Sequence, residues 1–302
     1  AFDILIQFIV IKLSDVSTDL GMETQRNIWK GIQFYSLHIL AYLSDYNRIH
    51  SVLLQPHILR QVTSYLLEYK KRGSEWDTVP PSPPQTANYY ILRSELTERS
   101  FLSCLLFSNL SKFRAGQQQI YDRGDSNCIL LQLLRVFEIT IDLSRKIGAN
   151  NVDTISNTII SKEEYVLLPK VVSRTIANMS SFDECHSFLL KSGVIDTLIG
   201  AIQSIKERTV VWNSLCTISN LCDANQELPN SVHELFVIKS ELRTHLARFV
   251  LQKEDAKLQS RATRIFGKLS RAPKTLASIL TVFSLEKIVQ FMEETNMIEV
   301  KT

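Results

Sequence analysis

Five times along this chain an apolar, helix-spaced run ends in one apolar residue, then a small one, then a polar turn. The pairs are Leu43-Ser44, Leu110-Ser111, Met179-Ser180, Leu221-Cys222 and Leu269-Ser270. A second apolar helical pattern usually follows. A helix with one broad apolar stripe cannot bury that stripe alone, and helices of this kind in tandem need neighbours of the same kind. That is the logic of a solenoid. The apolar anchors are spaced 67, 69, 42 and 48 residues apart. The last two spacings lie near the period of about 40–47 residues expected of three-helix repeats. The first two exceed it by about 25, and the excess falls in polar stretches at 70–90, KKRGSEWDTVPPSPPQTANYY, and 144–162. The first is Pro-rich and without period, so an exposed loop is predicted there. The second predicts a weaker polar insertion.

The clearest copy is residues 191–225, KSGVIDTLIGAIQSIKERTVVWNSLCTISNLCDAN. Helical spacing predicts one helix over Val194–Ser204 and another over about 209–222, with Gly193 suited to a tight turn between neighbouring helices. Only 9 glycines and 8 prolines occur in 302 residues, and four of the prolines cluster at Pro80, Pro81, Pro83 and Pro84, so an all-α chain is expected.

The series helix, polar turn, "KSGVIDTLIGAI", second turn, "WNSLCTISNLC" resembles the armadillo repeat, within the wider armadillo and HEAT superfamily. "SNLS", "ANMS" and "SNLC" resemble the end of its third helix. The resemblance is strongest over 176–225 and weakest before residue 95. It implies a right-handed α-solenoid of about five armadillo-like repeats over 1–302, with third helices lining a concave groove. It also implies that Asn109, Asn178 and Asn220 hydrogen-bond the backbone of an extended ligand. The flanking copies carry Tyr42 and Lys268 at the matching places. Importin-alpha-like arrays carry a Trp one turn earlier. Here His38, Leu105, Arg174, Cys216 and Arg264 stand there, which argues against a nuclear-import adaptor.

Nothing in the chain carries catalytic or cofactor chemistry by motif. G-x-S-x-G, G-x-x-x-x-G-K-[ST], G-x-G-x-x-G and H-E-x-x-H are all missing. Cys185 and His186 are adjacent, so on a helix they point about 100° apart, with no second ligand pair at metal spacing. No catalytic residue, cofactor or metal site is therefore expected. The five cysteines are odd in number and form no C-x-x-C pair, which predicts reduced thiols and an intracellular protein, cytoplasmic or nuclear.

Charge is nearly balanced overall, at +3, but residues 239–274 hold ten Lys and Arg against three acidic residues. Lys257, Arg261, Arg264, Lys268 and Arg271 step by 4, 3, 4 and 3, which predicts one basic helical stripe. Leu258, Ala262, Ile265, Phe266 and Leu269 would pack inward on the opposite face. In the repeat register Arg261 replaces Asn213 and Lys268 replaces Asn220, so the stripe should face the groove. It lacks interleaved aromatics and suits an acidic peptide better than nucleic acid. At the first repeat the groove positions are Tyr35, His38, Tyr42 and Asp45. Tyrosine pairs suit a binding patch, although Phe34 and Leu37 beside Tyr35 make it a candidate core side chain.

The function expected is a noncatalytic scaffold or adaptor, holding a protein or peptide segment of acidic character in its groove. The alternative is a segment of a larger solenoid or oligomeric assembly. The opening AFDILIQFIVIKL motivates that alternative, because it predicts a buried helix within a longer chain that stacks on further repeats. That opening is too short for a bilayer span, is broken by Asp3, Gln7 and Lys12, and lacks the features of a signal peptide.

Overall fold

The computed structural model describes residues 22–46, 49–73, 86–121, 128–149, 166–224, 231–251 and 254–283. The described residues are helical, with no strand among them. A first helix, α1 (Met22–Leu43), is followed by four triplets, each a short helix, a second helix and an anchor helix. These are α2 (His50–Leu53), α3 (Pro56–Gly73), α4 (Thr86–Leu110); α5 (Arg114–Ile120), α6 (Ile129–Ala149), α7 (Leu168–Met179); α8 (His186–Lys191), α9 (Val194–Ser204), α10 (Arg208–Leu221); and α11 (Val232–Ile238), α12 (Ser240–Leu251), α13 (Ala256–Leu269). Helix α14 (Pro273–Val282) follows. Each triplet thus holds three helices, the count expected of the three-helix repeats that the spacing suggests. Each of the five expected anchors is the last residue of its helix.

Local signals set these boundaries. Pro169 occupies the first turn of α7, where its missing N–H costs no hydrogen bond. Asp255 caps α13, its carboxylate accepting from Lys257 N at 3.1 Å and Leu258 N at 3.2 Å. Ser231 caps α11 by accepting from Glu234 N at 3.2 Å. Gly193, between α8 and α9, has φ of 76°, the left-handed region that favours glycine.

The chain divides into two compact units, residues 1–182 with 204–210, and residues 183–203 with 211–302. In the first, α1, α4 and α7 lie side by side in one layer, α3 and α6 pair in a second, and α3 packs on α4 as α6 packs on α7. This two-layer stacking is the α-solenoid arrangement that the resemblance implies. Its core includes Leu37, Leu40, Leu66, Leu106, Phe107 and Phe137. In the second unit α12 packs on α13, and α14 packs on α11, α12 and α13, around Leu215, Phe236, Leu246 and Ile265.

Several boundaries depart from expectation. Helix α3 runs through Gly73 and α4 begins at Thr86, so helices occupy both ends of the stretch expected as loop over 70–90. Pro80–Pro84 ends just before α4, because proline stops helix continuation on its N-terminal side and not on its C-terminal side. Helix α6 likewise extends to Ala149, into the stretch expected as an insertion over 144–162. The middle of 70–90, the remainder of 144–162 and the apolar opening at 2–13 lie outside the described residues.

Candidate protein-interaction surface

The five anchor turns share one hydrogen-bond pattern. The residue after each anchor donates its N–H to the carbonyl four residues back, as Ser111 does to Phe107 O at 2.8 Å and Ser270 to Phe266 O at 2.8 Å. The third residue donates to the anchor's own carbonyl: Tyr46 to Leu43, Phe113 to Leu110, Phe182 to Met179, Ala224 to Leu221 and Ala272 to Leu269. In four copies the small residue is serine, and its hydroxyl donates to the carbonyl two residues before the anchor. The distances are 2.5 Å for Ser44 to Ala41, 2.8 Å for Ser111 to Ser108, 2.8 Å for Ser180 to Ala177 and 3.0 Å for Ser270 to Gly267. These bonds satisfy carbonyls that a helix end otherwise leaves orphaned.

The next helix satisfies another carbonyl of the turn. His50 Nε2 donates to Ser44 O at 2.8 Å, Gln117 Nε2 to Ser111 O at 3.0 Å and His233 Nε2 to Cys222 O at 3.3 Å. Thr275 Oγ1 donates to Leu269 O. So two of the six histidines are turn caps, buried and away from any metal geometry. Cys185 and His186 are both buried.

The asparagines bond from repeat to repeat. Asn109 is 6% exposed, and its Nδ2 donates to Ser44 Oγ at 3.0 Å and approaches Ala41 O at 3.4 Å, both on the preceding anchor turn. Asn178 Nδ2 does the same to Ser111 Oγ at 3.0 Å and Ser108 O at 3.4 Å. The serine hydroxyl thus accepts from the next repeat while donating within its own turn, as its inventory permits. Lys268 fills the equivalent slot: its Nζ donates to Ser219 O at 2.7 Å, two residues before the Leu221 anchor, and to Asp223 Oδ2 at 2.5 Å. The sequence assigns Asn109, Asn178 and Lys268 to the groove as ligand contacts. In the structure their donors are engaged with the neighbouring repeat. Asn213 is buried, and Asn220 is half-buried one residue before its anchor.

The basic stripe divides in two. Arg261 lays its guanidinium over the Trp212 ring, 4.9 Å from the centroid, and Lys268 is bound as described. Lys257, Arg264 and Arg271 are exposed and have no ion-pair partner among the described residues. Arg271 lies in the turn past the end of α13, not on the helix, because Leu269 is its last helical residue. The apolar set Leu258, Ala262, Ile265, Phe266 and Leu269 is buried on the opposite face, as expected. Elsewhere many cations are matched by a carboxylate: Lys112 with Asp45 at 2.5 Å, Arg135 with Glu138 at 2.6 Å, Arg145 with Asp142 at 3.0 Å, and Lys239 with Asp196. The Lys112 hydrogen bond and charge hold the Asp45 carboxyl below its usual range.

At the first repeat, Tyr35 is 68% exposed and Tyr42 63% exposed. Tyr35 is therefore a surface residue; its apolar neighbours Leu37 and Leu40 take the core positions. His38 Nε2 lies 3.0 Å from Glu98 Oε1, and its ring stacks on Tyr42 with centroids 6.2 Å apart.

Burial disfavours the thiolate at three of the five cysteines. Burial pushes the Cys222 thiol up to about 12, and burial raises Cys104 as well. Cys216 is raised by burial, with the Arg261 charge opposing. Among the described residues no group of three or more His, Cys, Asp or Glu could hold a metal ion. A cleft of about 440 Å³ between α3 and α6 has Leu67 and Ile139 among its lining, and the Arg135–Glu138 pair at its wall is self-neutralised. Among the described residues no single helix is long and apolar enough to cross a membrane.

No family model matches the chain, and no curated protein matches it. Solved structures similar to it include an engineered protein at 13% identity, covering 90% of this chain and 99% of that one, with a TM-score of 0.47. A designed armadillo repeat protein is similar at 15% identity, covering 89% of this chain and 100% of that one, with a TM-score of 0.42. A second engineered protein is similar at 11% identity, covering 93% and 71%, with a TM-score of 0.34. At these values the likeness adds nothing to the fold assignment, which rests on the five anchor helices, their three-helix triplets and the stacking within each unit.

Proposed function

We propose that this chain is a noncatalytic interaction scaffold that holds an acidic peptide segment against the basic face of α13. The observation that carries this reading is the contrast in ion pairing. Lys257, Arg264 and Arg271 are exposed without a carboxylate partner among the described residues, while Lys112, Arg135 and Arg145 on earlier repeats each pair with a neighbouring carboxylate. Like charges one or two turns apart repel mildly, and an anionic ligand relieves that repulsion. Arg261 presents a planar guanidinium held by stacking on Trp212 rather than by a carboxylate, which leaves its N–H fork available to a ligand carboxylate. The five cysteines, all free, support a reducing compartment, cytoplasmic or nuclear.

Surface ion pairs contribute about 0.2–1 kcal/mol each, so three contribute about 0.6–3 kcal/mol, or roughly 3- to 150-fold in affinity. The test is fluorescence anisotropy with a labelled Glu/Asp-rich peptide and a neutral peptide of the same length. The variant carries Lys257→Glu, Arg264→Glu and Arg271→Glu together. It is expected to lose at least roughly threefold in affinity for the acidic probe. Its helical circular dichroism should be unchanged, because none of the three side chains is buried. Equal affinity of variant and wild type, or equal binding of the neutral peptide, would overturn the proposal.

A further inference from the structure

Along α1 and just past its end, Ile28, Tyr35, Ile39, Tyr42 and Tyr46 are exposed, at 57%, 68%, 42%, 63% and 65%. Ile32, partly exposed, completes the series. On the helix, from Ile28 to Tyr42, the steps are 4, 3, 4 and 3, a period of 3.5 residues, which is the period of a helix–helix seam, and Tyr46 lies in the turn that follows. The opposite face carries the buried Gln33, Leu37, Leu40 and Ser44. This surface is separate from the basic face of α13 and owes nothing to the acidic-peptide reading.

We infer that the α1 seam is the contact between two copies of this chain, packed antiparallel about Tyr35. A seam of this period calls for a helix of the same period, and α1 of a second copy supplies one. Antiparallel packing centred on Tyr35 sets Ile28 against the partner's Tyr42 and brings the two copies of Tyr35 together at the two-fold axis, the self-complementary arrangement of an isologous dimer. Charge permits it. No seam position is charged, and the ionisable groups at its α4 edge are matched within one copy, His38 with Glu98 and Lys112 with Asp45. A second copy therefore meets no net like charge.

The exposed area of the five large side chains is about 600 Å² per copy, so a dimer buries at most about 1,200 Å², the low end of specific interfaces. That is more than the single scattered apolar residues an ordinary surface carries.

The test is sedimentation equilibrium of the full chain from about 1 to 200 μM, a range that brackets micromolar association. Wild type is expected to shift from monomer to dimer within it. Tyr35→Glu sets two carboxylates face to face at the axis and is expected to weaken dimerisation at least roughly 100-fold, with circular dichroism unchanged. Tyr35→Lys alone is expected to be monomeric too, whereas an equimolar mixture of Tyr35→Glu and Tyr35→Lys is expected to dimerise again. A wild type that stays monomeric throughout would overturn the inference. So would a dimer that Tyr35→Glu leaves intact, or a mixture that does not associate.

Discussion

Asn109→Ala separates a repeat-to-repeat staple from a ligand contact. The Asn109 amide sits at 6% exposure and donates to Ser44 Oγ at 3.0 Å. Truncation removes one hydrogen bond, about 1 kcal/mol net, and leaves a small void between the α1 and α4 turns, for a total of about 2 kcal/mol. The Ala41 carbonyl stays satisfied, because Ser44 Oγ still donates to it at 2.5 Å, so no orphaned acceptor adds to the cost. Ser44→Ala removes the acceptor instead and costs a similar amount. If the two side chains act as one unit, the double variant costs less than the sum of the two singles, with a coupling of about 1 kcal/mol. Urea unfolding followed by circular dichroism gives all four stabilities, and an unchanged m-value would show that the denatured state is the same. Acidic-probe affinity of Asn109→Ala should equal that of wild type. A stability loss below about 0.5 kcal/mol with zero coupling, or a marked loss of probe binding, would refute the staple.

Two glycines give opposite expectations. A Cβ at Gly116 would meet Leu110 O at 2.0 Å, which is backbone, so Gly116→Ala should cost about 3 kcal/mol or more in the unfolding free energy from urea titration. A Cβ at Gly31 meets nothing within 4 Å inside α1, so Gly31→Ala should stabilise by about 0.5–1 kcal/mol. Burial lowers the His233 pKa below 6.5, the Cys222 carbonyl opposing, and burial with the Arg248 charge lowers His245. The unfolded chain then takes up protons near pH 6.5 that the folded chain resists, so this stability is complete above pH 6.5 and is lost as pH falls below it. Urea midpoints at a series of pH values between about 5 and 8 check this, and His233→Gln should flatten the slope.

The repeat register was legible because each anchor turn carries its own local signal. An apolar residue, a small residue and a polar turn recur, and each anchor proved to be the last residue of its helix. Gly193 was legible for the same reason, since a tight turn leaves a mark in the residue itself. The role of the asparagines was not. An Asn one residue before a helix end can present its amide to a groove or to the next repeat, and the sequence spacing is identical in the two cases. The hint lay in the serine two residues later in the preceding repeats, Ser111 for Asn178, which reads as merely small until its acceptor role is visible. Lys268 is a parallel case: its charge suggests a ligand, and in the structure its ammonium donates to Asp223 and the Ser219 carbonyl. Tyr35 was ambiguous because Phe34 and Leu37 flank it, and apolar neighbours widen a stripe until its edges cannot be located by period. The turn caps His50, Gln117, His233 and Thr275 span three residue types, so geometry and not residue type unites them.

The most direct measurement of the scaffold reading is amide hydrogen exchange of the full chain with and without the acidic peptide. The account predicts new protection concentrated in 256–271, with α1 and the α4 turn unchanged. Protection confined to α1, or none anywhere at saturating peptide, would contradict it.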